Sequence, residues 1–198
     1  MNKKLNFIFK DKKNYKSILY LLLLIVSSFT IYSLIPKFFN YTPKLVQESL
    51  KINSNINIKQ ISNISYKFFP SPRLRLSGVD LEFGEGVLVA ENTEVDIILK
   101  LSKIINYKSL DYNKFLLRNG SSSIEINKVN KLFNYIRNNK KKINFKNNTF
   151  ILLNENKKIL EINDSLIKFN TKNNFQQLNI NGLFLNHKIS FILKDKND

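Results

Sequence analysis

The chain has 198 residues, enough for one domain of ordinary size or for a small domain with an anchor, and too few for two large domains. It contains no cysteine and a single histidine, His187, which excludes disulfide frameworks, thiolate metal sites, cysteine nucleophiles and multi-histidine metal sites. With 32 Lys and Arg against 15 Asp and Glu, the formal net charge of +17 points to nucleic acid or an anionic membrane as a partner.

The distribution of this charge favours a membrane over nucleic acid. Six lysines and one acid, Asp11, lie in the first sixteen residues, and an uncharged run of nineteen residues follows over 17–35. A helix of that length spans roughly 28 Å, the thickness of a bilayer's hydrocarbon core. Because basic flanks stay cytoplasmic, the sequence predicts a cytoplasmic tail over 1–16, a transmembrane helix over 17–35 and an exported part over 36–198. A cleaved signal peptide is the alternative, but no small-residue cleavage site follows.

The exported part is predicted to be mainly β, with two short amphipathic helices. Thr42 followed by Pro43 starts the first helix, over 43–51, and apolar residues at helical spacing predict the second over 129–137. Elsewhere the apolar period is two, which indicates strands. Turn-forming residues divide these predicted strands, whose ranges are 56–68, 73–83, 87–100, 110–118, 123–126, 143–153, 157–169, 175–185 and 188–194.

The predicted strand over 73–83 contains an irregularity. Its apolar residues fall on even positions up to Leu76 and on odd positions from Val79 onward. One inserted residue would re-aim every later side chain, so we predict a β-bulge at Gly78. An ordinary strand glycine is the alternative.

Groups that could carry chemistry are sparse, and we assign no catalytic, cofactor-binding or metal-binding residue. His187 lies between two predicted strands with no serine elbow or placed carboxylate, which is typical of a surface histidine. There is no phosphate-binding glycine motif, and the basic run over 140–142 fits a solvated turn or lipid headgroups. Two pairs of acids fall at strand edges or turns, where solvated acids are normal: Glu82 with Glu85, and Glu161 with Asp164. We therefore expect neither an enzyme nor a nucleic-acid partner.

The predicted sheet carries more apolar surface than two short helices can cover. Either the antiparallel sheet folds on itself as a closed sandwich, or its apolar face meets something else. Patterning alone favours the sandwich, because closed cores are the common solution.

In the segment over 64–81, a Phe/Pro turn over 69–72 is followed by Leu74, Leu76, Val79 and Leu81 in the pattern L-x-L-x-x-V-x-L. This segment resembles the start of the AsmA-like family. In that family a basic N-terminus, one membrane helix and a short helix lead into a strand, a Phe/Pro turn and a strand with the pattern L-x-L-x-x-V-x-L. The matching residues here are Leu74, Leu76, Val79 and Leu81. The strand order that follows also agrees, so the resemblance covers about residues 17–126, in a chain shorter than most members.

The resemblance implies a Gram-negative envelope protein, anchored in the inner membrane with its β-domain in the periplasm. Members are related to chorein-type lipid-transfer proteins, whose incomplete β-tube presents an apolar groove to acyl chains. It therefore shifts the preference to a curved, open groove that binds phospholipid and serves lipid transport or outer-membrane assembly. The alternative is a non-enzymatic envelope scaffold with a closed sandwich. The candidate lipid-groove residues, chosen for periodicity and for their place in the matching segment, are Leu74, Leu76, Val79, Leu81, Val95, Ile97 and Leu99.

The last predicted strand, over 188–194, offers a possible interaction edge. Ile189, Phe191 and Leu193 share one face, and the outer edge would present unpaired backbone groups unless something covers it. Neighbouring charges are a normal protection for such an edge. The sharper hypothesis is strand addition by a β-rich envelope protein or by a second chain.

Overall fold

A computed structural model of the chain describes residues 12–139, 142–172 and 175–196. The predicted helices and strands are all present, with ends that differ by a few residues. They are α1 (Lys12–Leu34), α2 (Pro43–Ser54), β1 (Ile56–Lys67), β2 (Arg73–Phe83), β3 (Leu88–Leu99), β4 (Tyr112–Arg118), β5 (Ser121–Glu125), α3 (Val129–Asn138), β6 (Lys142–Asn154), β7 (Lys157–Lys172), β8 (Phe175–Phe184) and β9 (His187–Lys196). Short 3-10 turns follow α1, precede β4 and lead into α3.

Helix α1 exposes its apolar side chains along most of its length. The segment Tyr15–Phe38 is long and apolar enough to cross a membrane. Two of its hydroxyls bond within the helix: those of Ser27 and Thr30 donate to backbone carbonyls one turn earlier, at 2.7 and 2.8 Å. Most of the predicted basic tail over 1–16 lies outside the described residues.

All nine described strands belong to one sheet, in the order β1-β2-β3-β4-β6-β7-β8-β9, with β5 beside β3 and β6. Strands β4 and β5 are successive halves of one path, since both pair antiparallel with β3 and parallel with β6. The prediction of an antiparallel sheet is therefore wrong here, and the sheet is mixed. The reason is α3, which carries the chain back across the sheet so that β6 runs in the same direction as β4 and β5.

A row of bulges crosses the sheet. Gly78 has φ +57° and lies where the β2–β3 register shifts, so the predicted bulge is confirmed. Four further strand or strand-end residues with positive φ lie at neighbouring positions on β3 to β7, and with Gly78 they form what we call the bulge line: Gly78, Asn92, Asn119, Asn147 and Asp164. Two of these positions are joined directly, since the Asn119 N–H donates to the Asn147 carbonyl at 3.1 Å. Bulges bend a strand and increase its twist.

The core lies between the apolar face of the sheet and helices α2 and α3. Val46 and Leu50 of α2 and Leu132 and Phe133 of α3 belong to the same buried cluster as the inward residues of the strands. Phe83 on β2 is central to it, with ring contacts to residues of β4, α3 and β6 at centroid distances of 5.9, 6.0 and 6.3 Å. Phe83 thus joins α3 to the sheet through an aromatic group.

The opposite face of the sheet carries a buried charge cluster. Asp96 on β3 is fully buried and lies between arginines of β2 and β4. Its carboxylate is 2.9 Å from Arg75 Nε, 3.3 Å from Arg73 Nη1 and 2.8 Å from Arg118 Nη2. A carboxylate without solvent requires such partners, and here three cations surround one anion.

Candidate apolar ligand site

A cavity of about 180 Å³ lies between α3 and strands β5 to β9. Its lining is wholly aliphatic or aromatic and consists of Ile124, Val129, Leu132, Phe150, Leu152, Leu160, Ile162, Leu178, Ile180, Phe191 and Leu193. Side chains of this kind offer no hydrogen bond to water, and apolar cavities of comparable size stay dry. The chemistry of the site therefore suits a hydrocarbon.

The strand residues of the lining come together through the sheet register. Period-two alternation places every second residue on the α3 side, and cross-strand pairing then aligns these residues between neighbours. The aligned pairs are Phe150 with Ile162, Leu152 with Leu160, Leu178 with Leu193, and Ile180 with Phe191. The register thus builds one apolar pair set on β6 and β7 and another on β8 and β9, whereas across β7 and β8 Leu178 and Ile180 pair with Phe169 and Ile167.

The cavity is closed toward the centre of the sheet and open beside β9. Ile162 and Ile180 are buried, whereas Phe191 and Leu193 are 42% and 44% exposed. Strand β9 is an edge strand, so no further described strand covers these two side chains. A ligand could therefore enter from the β9 side without unfolding the core.

Helix α3 forms the roof and is held at both ends. Val129 and Leu132 in its first turns face the cavity. Just before the helix, Lys128 Nζ donates to the Gly86 carbonyl at 2.9 Å, and in its second half the Tyr135 hydroxyl donates to the Ser54 carbonyl at 2.5 Å. Burial raises the pKa of Tyr135 above its ordinary value, so this donor keeps its proton at neutral pH.

The seven predicted lipid-groove residues lie elsewhere, on β2 and β3. The structure brings them together, as their pattern predicts, but in the packed core, where they are 0 to 5% exposed. An acyl chain could reach them only by displacing core side chains, and their role as lipid contacts stays a prediction. The residues concerned are Leu74, Leu76, Val79, Leu81, Val95, Ile97 and Leu99.

Sequence reasoning did not select the cavity residues as a site. The alternation on β9 and the apolar face of α3 were both visible, but the sequence does not say how far a helix of ten residues covers the strands beneath it. The position of α3 over the strands decides where the cavity lies, and the sequence does not specify that position.

The other groups considered from the sequence lie on the surface. His187 is exposed at the start of β9. Glu82 pairs with Lys59 across β1 and β2, and Glu161 pairs with Lys158 at 2.5 Å. Part of the basic run over 140–142 lies outside the described residues. Within the part of the chain that the structure describes, no group of three or more metal-ligating side chains occurs.

No family model, curated protein or solved structure matches this chain. A proposal about function therefore depends on the cavity, on helix α1 and on the sequence pattern.

Proposed function

We propose that the protein is a non-enzymatic, membrane-anchored β-groove protein that binds phospholipid acyl chains and contributes to lipid transport or outer-membrane assembly in a bacterial envelope. The single observation that carries the proposal is the wholly apolar cavity, which is exposed beside β9. Helix α1 supports it, since an exposed apolar helix of this length is suited to a bilayer. The resemblance of residues 64–81 to the AsmA-like family points the same way.

The size of the cavity fits part of one acyl chain. A cavity of about 150 Å³ lined by Leu, Ile and Phe binds benzene, so this one suits a stretch of about six or seven carbons. The remainder of an acyl chain would lie over Phe191 and Leu193, which are half-exposed. Covering such surface is favourable by about 25 cal/mol per Å².

The same proposal includes a curved sheet that forms an open groove rather than a closed sandwich. Two features support it. The described strands belong to one sheet with β1 and β9 at its edges, and the bulge line bends several strands at one level. A closed sandwich would instead require this sheet to fold on itself so that its two halves pack face to face.

We place α1 in the bacterial inner membrane as a single span, with the N-terminus cytoplasmic and the β-domain in the periplasm. The lysines that precede the apolar run support this orientation, because basic flanks stay on the cytoplasmic side. A reporter fused behind residue 198 should then be active only outside the cytoplasm. Activity inside the cytoplasm would overturn the orientation.

The edge strand β9 supports a protein partner as well. It pairs with β8 on one side, and Ile192 on its other face is 56% exposed. We propose that a β-rich envelope protein adds a strand to β9 over 188–194, which would extend the groove. The alternative function, an envelope scaffold without lipid, would use this same edge. A photo-reactive residue at position 192 should crosslink to a strand of the partner, and a strictly monomeric protein in native membranes would contradict this.

A matched pair of variants tests lipid binding. Leu193 lines the cavity, whereas the adjacent Ile192 points to the opposite face at similar exposure. The full chain is purified in detergent, exchanged until annular lipid is removed, and its retained phospholipid is counted by mass spectrometry. We expect wild type and Ile192→Trp to retain lipid and Leu193→Trp to lose it. Absence of lipid from wild type, or equal retention by both variants, would contradict the proposal.

A further inference from the structure

We propose that the end of the sheet beside α1 is a membrane-docking surface, which lies on the anionic headgroups of the leaflet from which α1 emerges. We define this docking surface by three segments: 35–39, 66–72 and 99–105. The inference goes beyond acyl-chain binding and rests on the proposed role of α1 as a membrane anchor.

The contacts of the last turn of α1 place these segments at the membrane. A residue bonded to the end of a spanning helix must lie at the level where that helix leaves the bilayer. Three hydrogen bonds join the segments to α1 and to one another: Tyr66 hydroxyl to Ser33 carbonyl, Tyr32 hydroxyl to Leu101 carbonyl at 2.8 Å, and Leu99 N–H to Pro72 carbonyl at 3.0 Å.

The junction between helix and sheet is packed rather than a loose tether. Ser33 and Pro36 are buried at the end of α1, although α1 is otherwise exposed. Burial raises the pKa of Tyr66 to about 12, so its hydroxyl remains protonated and donates at neutral pH. The helix therefore holds this end of the sheet, and no other, against the bilayer.

The docking surface exposes large apolar side chains. Five of them are between 38% and 83% exposed: Phe38, Phe68, Phe69, Leu101 and Ile105. Aromatic and aliphatic side chains flanked by lysine are what interfacial segments insert at the boundary of headgroups and acyl chains. A bilayer is therefore the occupant that fits this surface.

The charge of the docking surface selects an anionic leaflet. Its three segments contain four lysines, Lys37, Lys67, Lys100 and Lys103, and no acid, although Lys103 also pairs with Asp111 at 3.3 Å. The turns at the far end of β2 and β6 instead carry exposed acids, Glu85 and Glu155. Anionic headgroups attract clustered lysines and repel acids. The docking surface is therefore more basic than these two turns at the far end, as contact of the α1 end with an anionic membrane requires.

Single-cysteine labelling of the full chain tests the proposal, because the chain has no cysteine of its own. An environment-sensitive fluorophore is placed at Ile25→Cys in α1, Ser71→Cys in the docking surface, or Glu85→Cys at the far end. The protein is reconstituted in phosphatidylcholine vesicles, with or without phosphatidylglycerol, that carry a nitroxide-labelled lipid. We expect quenching at positions 25 and 71 and none at 85, with quenching at 71 strengthened by phosphatidylglycerol.

Two double variants sharpen this test. Phe69 and Leu185 are 77% and 76% exposed, and each has a lysine nearby. We expect Phe69→Ser with Lys67→Gln to reduce quenching at position 71 several-fold, while Leu185→Ser with Lys188→Gln leaves it unchanged. Quenching at 25 without quenching at 71 would overturn the docking surface and leave the anchor intact. Absence of quenching at position 25 would overturn the role of α1 as a membrane anchor, and the docking surface with it.

Discussion

The two halves of the sheet have the same alternation of apolar and polar residues, but their inward side chains differ in how they are covered. In the first half, β1 to β4 with α2, the inward residues of β2 and β3 are buried in a packed core. In the second half, β6 to β9 with α3, inward residues such as Phe145 and Ile167 are buried in the same core, but those beneath α3 surround a cavity and the last strand exposes two of them. The difference lies in the cover and not in the strands. Accessible apolar surface therefore lies where no helix covers the sheet, rather than on the strands with the most regular apolar alternation.

The largest effect is expected from the charge cluster of the first half. Asp96 is fully buried among three arginines, so Asp96→Ala would leave these cations without their shared anion. We expect the free energy of unfolding to fall by about 3–5 kcal/mol. Chemical unfolding of the full chain in detergent, followed by circular dichroism, measures this.

An exposed pair in the second half provides the control for Asp96. Glu161→Gln removes the partner of Lys158 on the surface of β7 and should lower the free energy of unfolding far less than Asp96→Ala does, because solvent screens the pair. Equal losses for Asp96→Ala and Glu161→Gln would show that the cluster is not the special feature of the first half.

Within the bulge line, we expect substitution of Gly78 to lower stability, because its backbone conformation is one that other residues rarely adopt. Gly78 has φ +57°, and a Cβ at this position would collide with the hydroxyl of Ser62 on β1. Gly78→Val should therefore lower the free energy of unfolding by about 1–3 kcal/mol. Glu85→Gly, at a turn residue with φ +59°, is the control and should be neutral or slightly stabilising. A melting temperature unchanged in Gly78→Val would mean that β2 does not need its bulge.

Enlarging one side chain in each half compares the packed core with the cavity directly. Leu76 on β2 is fully buried in the core, so Leu76→Phe should cost about 1–3 kcal/mol. Leu178 on β8 is buried as deeply but borders the cavity, so Leu178→Phe should cost less than about 1 kcal/mol and should weaken lipid retention. Similar thermal melts for the two variants would remove the distinction between the halves.

The smallest effect is expected at alkaline pH, where the join between α2 and the sheet loosens. Burial raises the pKa of Tyr112 to about 12, above its unfolded value of about 10, and its hydroxyl donates to Ser54. The folded state then holds a proton that the unfolded state releases, so stability is full below pH 10 and falls between pH 10 and 12. At pH 11 the loss is about 1 kcal/mol for this group. A pH series of unfolding curves should show a shallower fall in Tyr112→Phe, and identical slopes would contradict the assignment.

Much of the fold could be predicted from the sequence, because strand and helix periods are local signals. The bulge at Gly78 was visible as a switch in parity between Leu76 and Val79. The bulges at Asn92, Asn119 and Asn147 were not, since asparagine tolerates positive φ but is frequent throughout this chain.

Strand direction and the site were harder to predict, for a different reason. A period of two does not encode direction, and the helix between β5 and β6 was the overlooked sign that β6 returns parallel. The apolar face of β9 was predicted, but its exposure depends on the reach of α3, which is a property of the packed molecule. Sequence reasoning therefore selected residues of β2 and β3, for their period and for their place in the segment that resembles the AsmA-like family, and did not select the residues that line the cavity beside β9.

The central claim is that acyl chains bind in the second half of the sheet, and mapping a photo-reactive lipid tests it most directly. The full chain is reconstituted with a phospholipid that carries a diazirine in its acyl chain, irradiated and digested, and the labelled peptides are identified by mass spectrometry. Besides labels on α1 from the surrounding bilayer, the account predicts labels on peptides that contain Leu132, Leu178 or Phe191. Labels confined to α1, or labels on β2 and β3 with none near β9, would contradict it.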